Sequence, residues 1–205
     1  MINENTVIKK TSALYTKYGI KSVSIDDVSF MLGISKKTIY EIIENKNELI
    51  SRVVENNLDV FYAKELQKIE NENDILMNLC LVYSTVIREV KKINPSYVHD
   101  LKKYHPLQYS KIIQFRDQKI YKIIESWITK GVAAGIFRDD LDLPLVFQNQ
   151  IQKISALIYN LEYDFTEPLT GQAAYMLILN DIRGITTLKG HEIFDQNYNF
   201  FLQLK

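Results

Sequence analysis

Four hydrogen-bond donors stand close together in the N-terminal part of the chain: Lys36, Lys37, Thr38 and Tyr40. Ile39 and Ile43 lie among and beyond them with a spacing of four. Side chains four apart share one face of a helix, so the two isoleucines are expected to point inward and the donors outward. A basic and hydroxyl-rich first turn is typical of a helix that meets DNA phosphates and base edges. The alternative is a helix face that is merely solvated.

The residues before these donors predict how the donor helix is positioned. Ser24 can cap a helix start, with Asp27 three residues later as the acid of a capping box. Gly33 suits the left-handed conformation that ends a helix, and Ser35 can cap the next one. Two short helices joined by a tight glycine turn indicate a helix-turn-helix. Ser24 and Ser35 are first of all caps, and contact with a DNA phosphate remains open for both.

The first fifty residues resemble the TetR family of bacterial transcription regulators. The matching residues are Leu14, Tyr15, Tyr18, Gly19, Ser24, Ile25, Asp27, Val28, Gly33, Ile34, Ser35, Lys36, Thr38, Ile39, Tyr40, Asn45, Lys46, Glu48 and Leu49. The resemblance places Lys36, Lys37 and Tyr40 on a recognition helix and Lys46 against phosphate. It implies a homodimer that binds a double-stranded DNA operator as a repressor, and a small-molecule effector that releases it.

The resemblance also implies the architecture. We expect an all-α protein of about nine helices, with a three-helix helix-turn-helix head, a long linker helix and a C-terminal bundle. The expected domains are residues 1–48 for DNA binding and 49–205 for ligand binding and dimerisation. Prolines, glycines and apolar spacing predict helices at 3–18, 45–70, 75–93, 95–104, 106–134, 143–161 and 167–188, with a short one in the tail. The pair 143–161 and 167–188 is expected to form a four-helix dimer interface.

Composition narrows the class of protein. The 205 residues are 46% hydrophobic and carry no net charge, which fits a globular chain and not an overall polycation. Residues 1–52 hold eight Lys and Arg against six Asp and Glu, so only the N-terminal end is slightly basic. The single cysteine, Cys80, lies in an apolar run and is expected to be buried. The polar N-terminus and the lack of a ~20-residue apolar run predict a cytoplasmic protein without membrane contact.

The effector site is predicted from aromatic residues in the C-terminal part. A pocket for an amphipathic molecule needs apolar walls with a few polar tips, which tyrosine supplies. The candidates are Tyr83, Tyr104, Trp127 and Gln148. The alternative is that these side chains simply form the core or the dimer interface. No cofactor is expected, and three scattered histidines have no spacing typical of a metal site.

Two other functions compete with DNA binding. Ile42 stands where the family usually has an aromatic residue or histidine, and Glu41 and Glu44 add negative charge nearby. These three residues favour a helical carrier of small molecules or lipids whose head no longer binds DNA. An enzyme is disfavoured because no catalytic set of residues stands out at a motif spacing.

Overall fold

The computed structural model describes residues 3–69, 74–159 and 171–204, and these residues form an all-α fold. The predicted fold class is therefore confirmed. The α-helical segments are α1 (Glu4–Tyr18), α2 (Ile25–Leu32), α3 (Lys36–Ile42), α4 (Lys46–Phe61), α5 (Gln67–Ile69), α6 (Ile75–Lys91), α7 (Pro95–Tyr104), α8 (Pro106–Phe115), α9 (Tyr121–Ala133), α10 (Leu143–Tyr159), α11 (Gly171–Gly184) and α12 (Leu188–Phe201).

Two of the predicted long helices contain a π-helical turn. Residues Tyr62–Leu66 join α4 to α5, and Arg116–Ile120 join α8 to α9, so the described ranges contain ten helices. The tail forms α12, a helix of 14 residues, which is longer than the sequence suggested. The predicted helix starting near residue 167 begins outside the described residues, and α11 is described from Gly171 onward.

The chain divides into two compact units. Unit 1 comprises Met1–Lys64 and Lys92–Arg116, and unit 2 comprises Glu65–Lys91 and Asp117–Lys205. Both π-helical turns contain a point where the chain passes from one unit to the other. The functional boundary predicted between residues 48 and 49 stays a prediction.

Unit 1 packs the first four helices around one apolar core. Its buried members are Val7, Ile8, Tyr15, Ile20, Val23, Ile25, Val28, Ile39, Ile43, Leu49, Ile50, Val53, Val54, Tyr97 and Leu101. Tyr97 and Leu101 come from α7, so this later helix completes the core of the first four helices. Gly19 allows the close approach of α7, because a Cβ there would lie 3.0 Å from the Cβ of Ser96. Its φ of 84° is also one that side-chain-bearing residues rarely adopt.

Unit 2 buries apolar residues of α6, α9, α11 and α12 together, including Leu79, Ile124, Leu179 and Phe194. Cys80 is buried as predicted, and burial raises the pKa of its thiol well above the ordinary value. The thiol is thus held protonated and behaves as a small apolar side chain.

Candidate DNA-binding interface

The helix-turn-helix predicted from the sequence is present, and local bonds set its geometry. Gly33 has φ 66° and ψ 32°, the left-handed conformation that ends α2, and its N–H donates to the carbonyls of Phe30 and Ser29. Ser35 Oγ accepts a bond of 3.0 Å from the backbone N–H of Thr38, which caps α3. Ile39 and Ile43 are buried, so they fix which face of α3 is inside.

Ser24 and Asp27 form the complete capping box at the start of α2. Ser24 Oγ accepts from the Asp27 N–H at 3.2 Å, while the Asp27 carboxylate accepts from the Ser24 N–H at 2.7 Å. The Ser24 hydroxyl also donates to this carboxylate at 2.6 Å. These bonds from Ser24 lower the pKa of Asp27 below its usual value. Because the only hydroxyl proton of Ser24 is already used, its observed role is capping; a phosphate contact stays a prediction.

The donor face of α3 is turned outward. Lys36, Lys37 and Tyr40 are exposed, and Thr38 is half-buried with its hydroxyl 2.9 Å from that of Ser35. Tyr40 is 48% exposed, which leaves its phenol in contact with solvent. This arrangement is the one that the predicted recognition helix requires.

Lys36 makes one ion pair across the helix-turn-helix. Its Nζ lies 2.6 Å from Oδ1 of Asp26, a residue in the first turn of α2. Asp26 is not among the residues that the sequence pattern points to. The pair places a carboxylate beside an ammonium group on the exposed surface where α2 and α3 both begin.

Lys46 lies at the start of α4, as expected, and its ammonium group also bonds within the protein. Its Nζ donates to the backbone carbonyls of Ile20 and Val23, at 3.1 and 2.6 Å. Burial lowers the pKa of this ammonium group, against the opposing pull of Asp100 and Asp27. An ammonium group has three donors, so one remains for the predicted phosphate contact. The observed role of Lys46 is to tie the start of α4 to the loop before α2.

Asp100 of α7 holds the same loop from the other side. This carboxylate is buried and accepts a bond of 2.8 Å from the backbone N–H of Lys21. The side chain of Asn94 adds a 2.9 Å bond to the carbonyl of Lys17 at the end of α1. Residues far along the chain thus stabilise the segment that leads into the helix-turn-helix. Helix-start patterns in the sequence do not predict these contacts.

The predicted effector residues differ in exposure and in the unit to which they belong. Tyr83 is buried and donates to Gln150, not to the predicted Gln148. Gln148 is exposed because Phe147, Gln150 and Ile154 form the inward face of α10, with helical spacing. Trp127 is buried, with Lys130 Nζ 4.1 Å from the centre of its ring.

Tyr104 belongs to unit 1, whereas the other three candidates belong to unit 2. It is 44% exposed and has the Nζ of Lys21 and Lys103 at 5.1 and 5.3 Å from its ring centre. Hydrogen bonds from Lys103 and Lys21 lower the pKa of its phenol. The effector site remains a prediction, and only Tyr83 and its partner Gln150 form a buried polar pair among these residues.

The predicted dimer helices use many of their apolar residues inside the single chain. Ile154, Tyr175, Ile178 and Ile182 are buried in unit 2. These four residues belong to the core of the single chain, and the four-helix dimer interface expected for the two helices stays a prediction. Leu177 is 41% exposed and Ile151 is half-buried, while the side chain of Ile158 lies outside the described residues.

Two features of the described part of the chain bear on other functions. Within residues 3–69, 74–159 and 171–204, no group of three or more His, Cys, Asp or Glu is placed to hold a metal ion. In the same ranges, no helix combines the length and the apolar character needed to cross a membrane. The cytoplasmic location stays a prediction.

The fold and the exposed donor helix define a helical protein with a helix-turn-helix near its N-terminus, and known proteins share this architecture. No family model matches the chain. The HTH-type transcriptional repressor KstR2 of Mycolicibacterium smegmatis is 20% identical over 145 residues, which are 69% of this chain and 71% of that protein. The similarity is spread over two thirds of the sequence and therefore extends beyond the helix-turn-helix.

Solved structures of other proteins share the fold of this chain. The TetR-family transcriptional regulator PfmR from Thermus thermophilus superposes with a TM-score of 0.66 at 19% identity, covering 86% of this chain and 97% of PfmR. AibR in complex with isovaleryl coenzyme A and operator DNA gives 0.64 at 14% identity, covering 88% and 96%. This chain therefore has the fold of the TetR family, as its first fifty residues predicted.

Proposed function

We propose that the protein is a DNA-binding transcription regulator, a repressor that a small-molecule effector releases from its operator. The observation that carries this proposal is the outward face of α3, where Lys36, Lys37 and Tyr40 are exposed on a helix fixed by Ser35 and Ile39. The residues that would touch DNA are these three with Thr38 and, through its third donor, Lys46. Catalysis has no part in this function.

The likeness to known regulators supports the proposal. KstR2 is an HTH-type transcriptional repressor, and the AibR structure contains both a coenzyme A ester and operator DNA. One helix-turn-helix contacts few phosphates, so two copies on a two-fold axis are needed for tight and specific binding. The homodimer would read two half-sites about one helical turn, ~34–36 Å, apart or a multiple of that.

Coupling between effector and DNA would pass along the chain through α4. The helix begins at Lys46, which is tied to the loop before α2, and it continues through the π-helical turn Tyr62–Leu66 into unit 2. An effector that binds one arrangement of unit 2 more tightly would shift α4 and with it the two heads of the dimer. A coupling free energy of about 1–3 kcal/mol is typical of such regulation.

Binding to DNA as a function of salt tests the proposal. Duplexes selected from a random pool by the full-length protein would be titrated at several salt concentrations, followed by fluorescence anisotropy. Because phosphate contacts release counterions, log K should fall linearly with log salt, by about 0.9 for each phosphate contacted. Sedimentation of the free protein at micromolar concentration should show a dimer.

The same titration distinguishes the proposed regulator from the main alternative, a helical carrier whose head no longer binds DNA. Glu41 and Glu44, whose negative charge is the sequence feature behind that alternative, are exposed. A carrier would select no duplex and would show no salt-dependent binding. A monomer that binds each duplex equally well would contradict the dimeric operator-binding part of the proposal.

A further inference from the structure

We infer that Asp26 and Lys36 act together to select a G·C base pair in each half-site, with the guanine facing Lys36 and the cytosine facing Asp26. The inference rests on the proposed DNA-binding function and adds a sequence preference to it. The two charged atoms lie 2.6 Å apart, and the side chains are 64% and 54% exposed. Both residues lie in the first turns of the helices that form the helix-turn-helix.

The ion pair of Asp26 and Lys36 contributes little to the stability of the folded protein. An ion pair between exposed side chains contributes about 0–1 kcal/mol. A carboxylate on a DNA-facing surface is also repelled by phosphates, so Asp26 would weaken binding unless it meets a hydrogen-bond donor. In the major groove the donors are the amino groups of cytosine N4 and adenine N6.

The spacing of the pair matches the edge of a G·C base pair. Guanine O6 and cytosine N4 are hydrogen-bonded to each other and are therefore about 2.9 Å apart. The Lys36 Nζ and Asp26 Oδ1 are 2.6 Å apart. The ammonium group can thus donate to guanine O6, and to N7 beside it, while the carboxylate accepts from cytosine N4. All four groups are satisfied without breaking the ion pair.

The other base pairs fit less well, each for a stated reason. T·A presents an acceptor and a donor in the same order, but the thymine methyl crowds the ammonium group and adenine N7 repels the carboxylate. C·G and A·T reverse the order, which places amino groups against Lys36 and carbonyl oxygens against Asp26. The expected order of affinity is therefore G·C first, T·A second, and the two reversed pairs last.

The test uses the full-length protein and its selected duplex. Lys36→Ala identifies the position, because it should relax the base preference at one pair of each half-site. The four base pairs at that position would then be compared by anisotropy, and the reversed pairs should bind roughly 10-fold or more weakly than G·C. Asp26→Asn should change the preference there from G·C to T·A, since an asparagine amide pairs with adenine N6 and N7.

The control is Glu44→Gln, which removes one negative charge from an exposed side chain outside α2 and α3. It should change the affinity for all duplexes equally and leave every preference intact. If Asp26→Asn also strengthens binding equally for all sequences, Asp26 only repels phosphate and the inference is overturned, while DNA binding stands. A preference change at a different position from that of Lys36→Ala overturns it too. Failure of the protein to select any duplex would overturn both this inference and the proposed DNA-binding function.

Discussion

The helix-turn-helix and unit 2 differ in how far apart along the chain their hydrogen-bonded polar groups lie. In the helix-turn-helix, the capping bonds of Ser24 and Ser35 reach residues three positions away. In unit 2, Tyr83 and Gln150 are 67 residues apart, and Lys153 and Asp181 are 28 apart. The helix caps of the first region are set by its own short sequence, whereas these pairs of unit 2 depend on how distant helices pack.

That difference implies different responses to substitution. In the helix-turn-helix, a lost cap removes one bond at an exposed helix end, where water can replace it. At the buried pair of Tyr83 and Gln150 in unit 2, a lost partner leaves a polar group buried without water, which costs more free energy. The apolar cores of both units should be more sensitive than either kind of polar bond.

The largest effect is expected from truncating the core of unit 1. Leu49→Ala removes a fully buried side chain at the start of α4 and should lower the free energy of unfolding by about 2–5 kcal/mol. Urea unfolding followed by circular dichroism measures it. Leu107→Ala is the matched control, since Leu107 is 76% exposed and should change stability by less than about 0.5 kcal/mol. Equal effects of the two would contradict the assigned core.

The next effect is expected in the interior of unit 2. Gln150→Leu leaves the Tyr83 hydroxyl buried without its partner and should cost about 1–3 kcal/mol of stability in the same assay. Adding Tyr83→Phe removes the orphaned hydroxyl and should recover part of the loss. Gln148→Leu, at an exposed position of the same helix, should have little effect. No recovery in the double variant would mean that the pair does not exist as described.

A smaller effect is expected at the cap of α3. Ser35→Ala should cost about 1 kcal/mol, because the Thr38 N–H loses its acceptor. Ser35→Asp keeps an acceptor and should preserve stability, but its charge should weaken DNA binding if Ser35 lies near phosphate. The two variants thus separate capping from phosphate contact. Unchanged DNA affinity with Ser35→Asp would leave Ser35 with a capping role alone.

The smallest effect is a pH dependence at the start of α2. The pKa of Asp27 is lowered chiefly by its hydrogen bond from Ser24, so the bond stabilises the folded protein above the unfolded pKa of about 3.9. This contribution should be lost as the pH falls through the lower folded value. Asp27→Asn should reduce the fall in thermal stability between about pH 5 and pH 2, and the change should be small because the carboxylate is exposed to solvent. An unchanged acid profile would contradict the capping box.

The sequence predicted the helix-turn-helix closely because its determinants are local. Ser24, Gly33 and Ser35 act on residues within a few positions, and Ile39 with Ile43 fixes the buried face. Periodicity likewise predicted most helices. The two π-helical turns went unpredicted, because the apolar spacing continues through them with little change.

The candidate effector site was less predictable because its residues are set by how distant helices pack and not by local patterns. Gln148 and Gln150 are two residues apart in an apolar stretch, and only the packing of α10 decides which one faces Tyr83. Tyr104 was grouped with the bundle because of its place in the sequence, yet α7 lies in unit 1. Asp100 braces the Lys21 N–H from 79 residues away, which no local pattern reveals.

The central claim is that the outward face of α3 binds DNA, and the salt dependence of a double variant tests it most directly. Lys36→Ala with Lys37→Ala should weaken binding to the selected duplex and make the slope of log K against log salt shallower by about 1 or more. Lys64→Ala with Lys91→Ala, two other exposed lysines, should leave both unchanged. A double variant of α3 with the affinity and slope of the unaltered protein would contradict the claim.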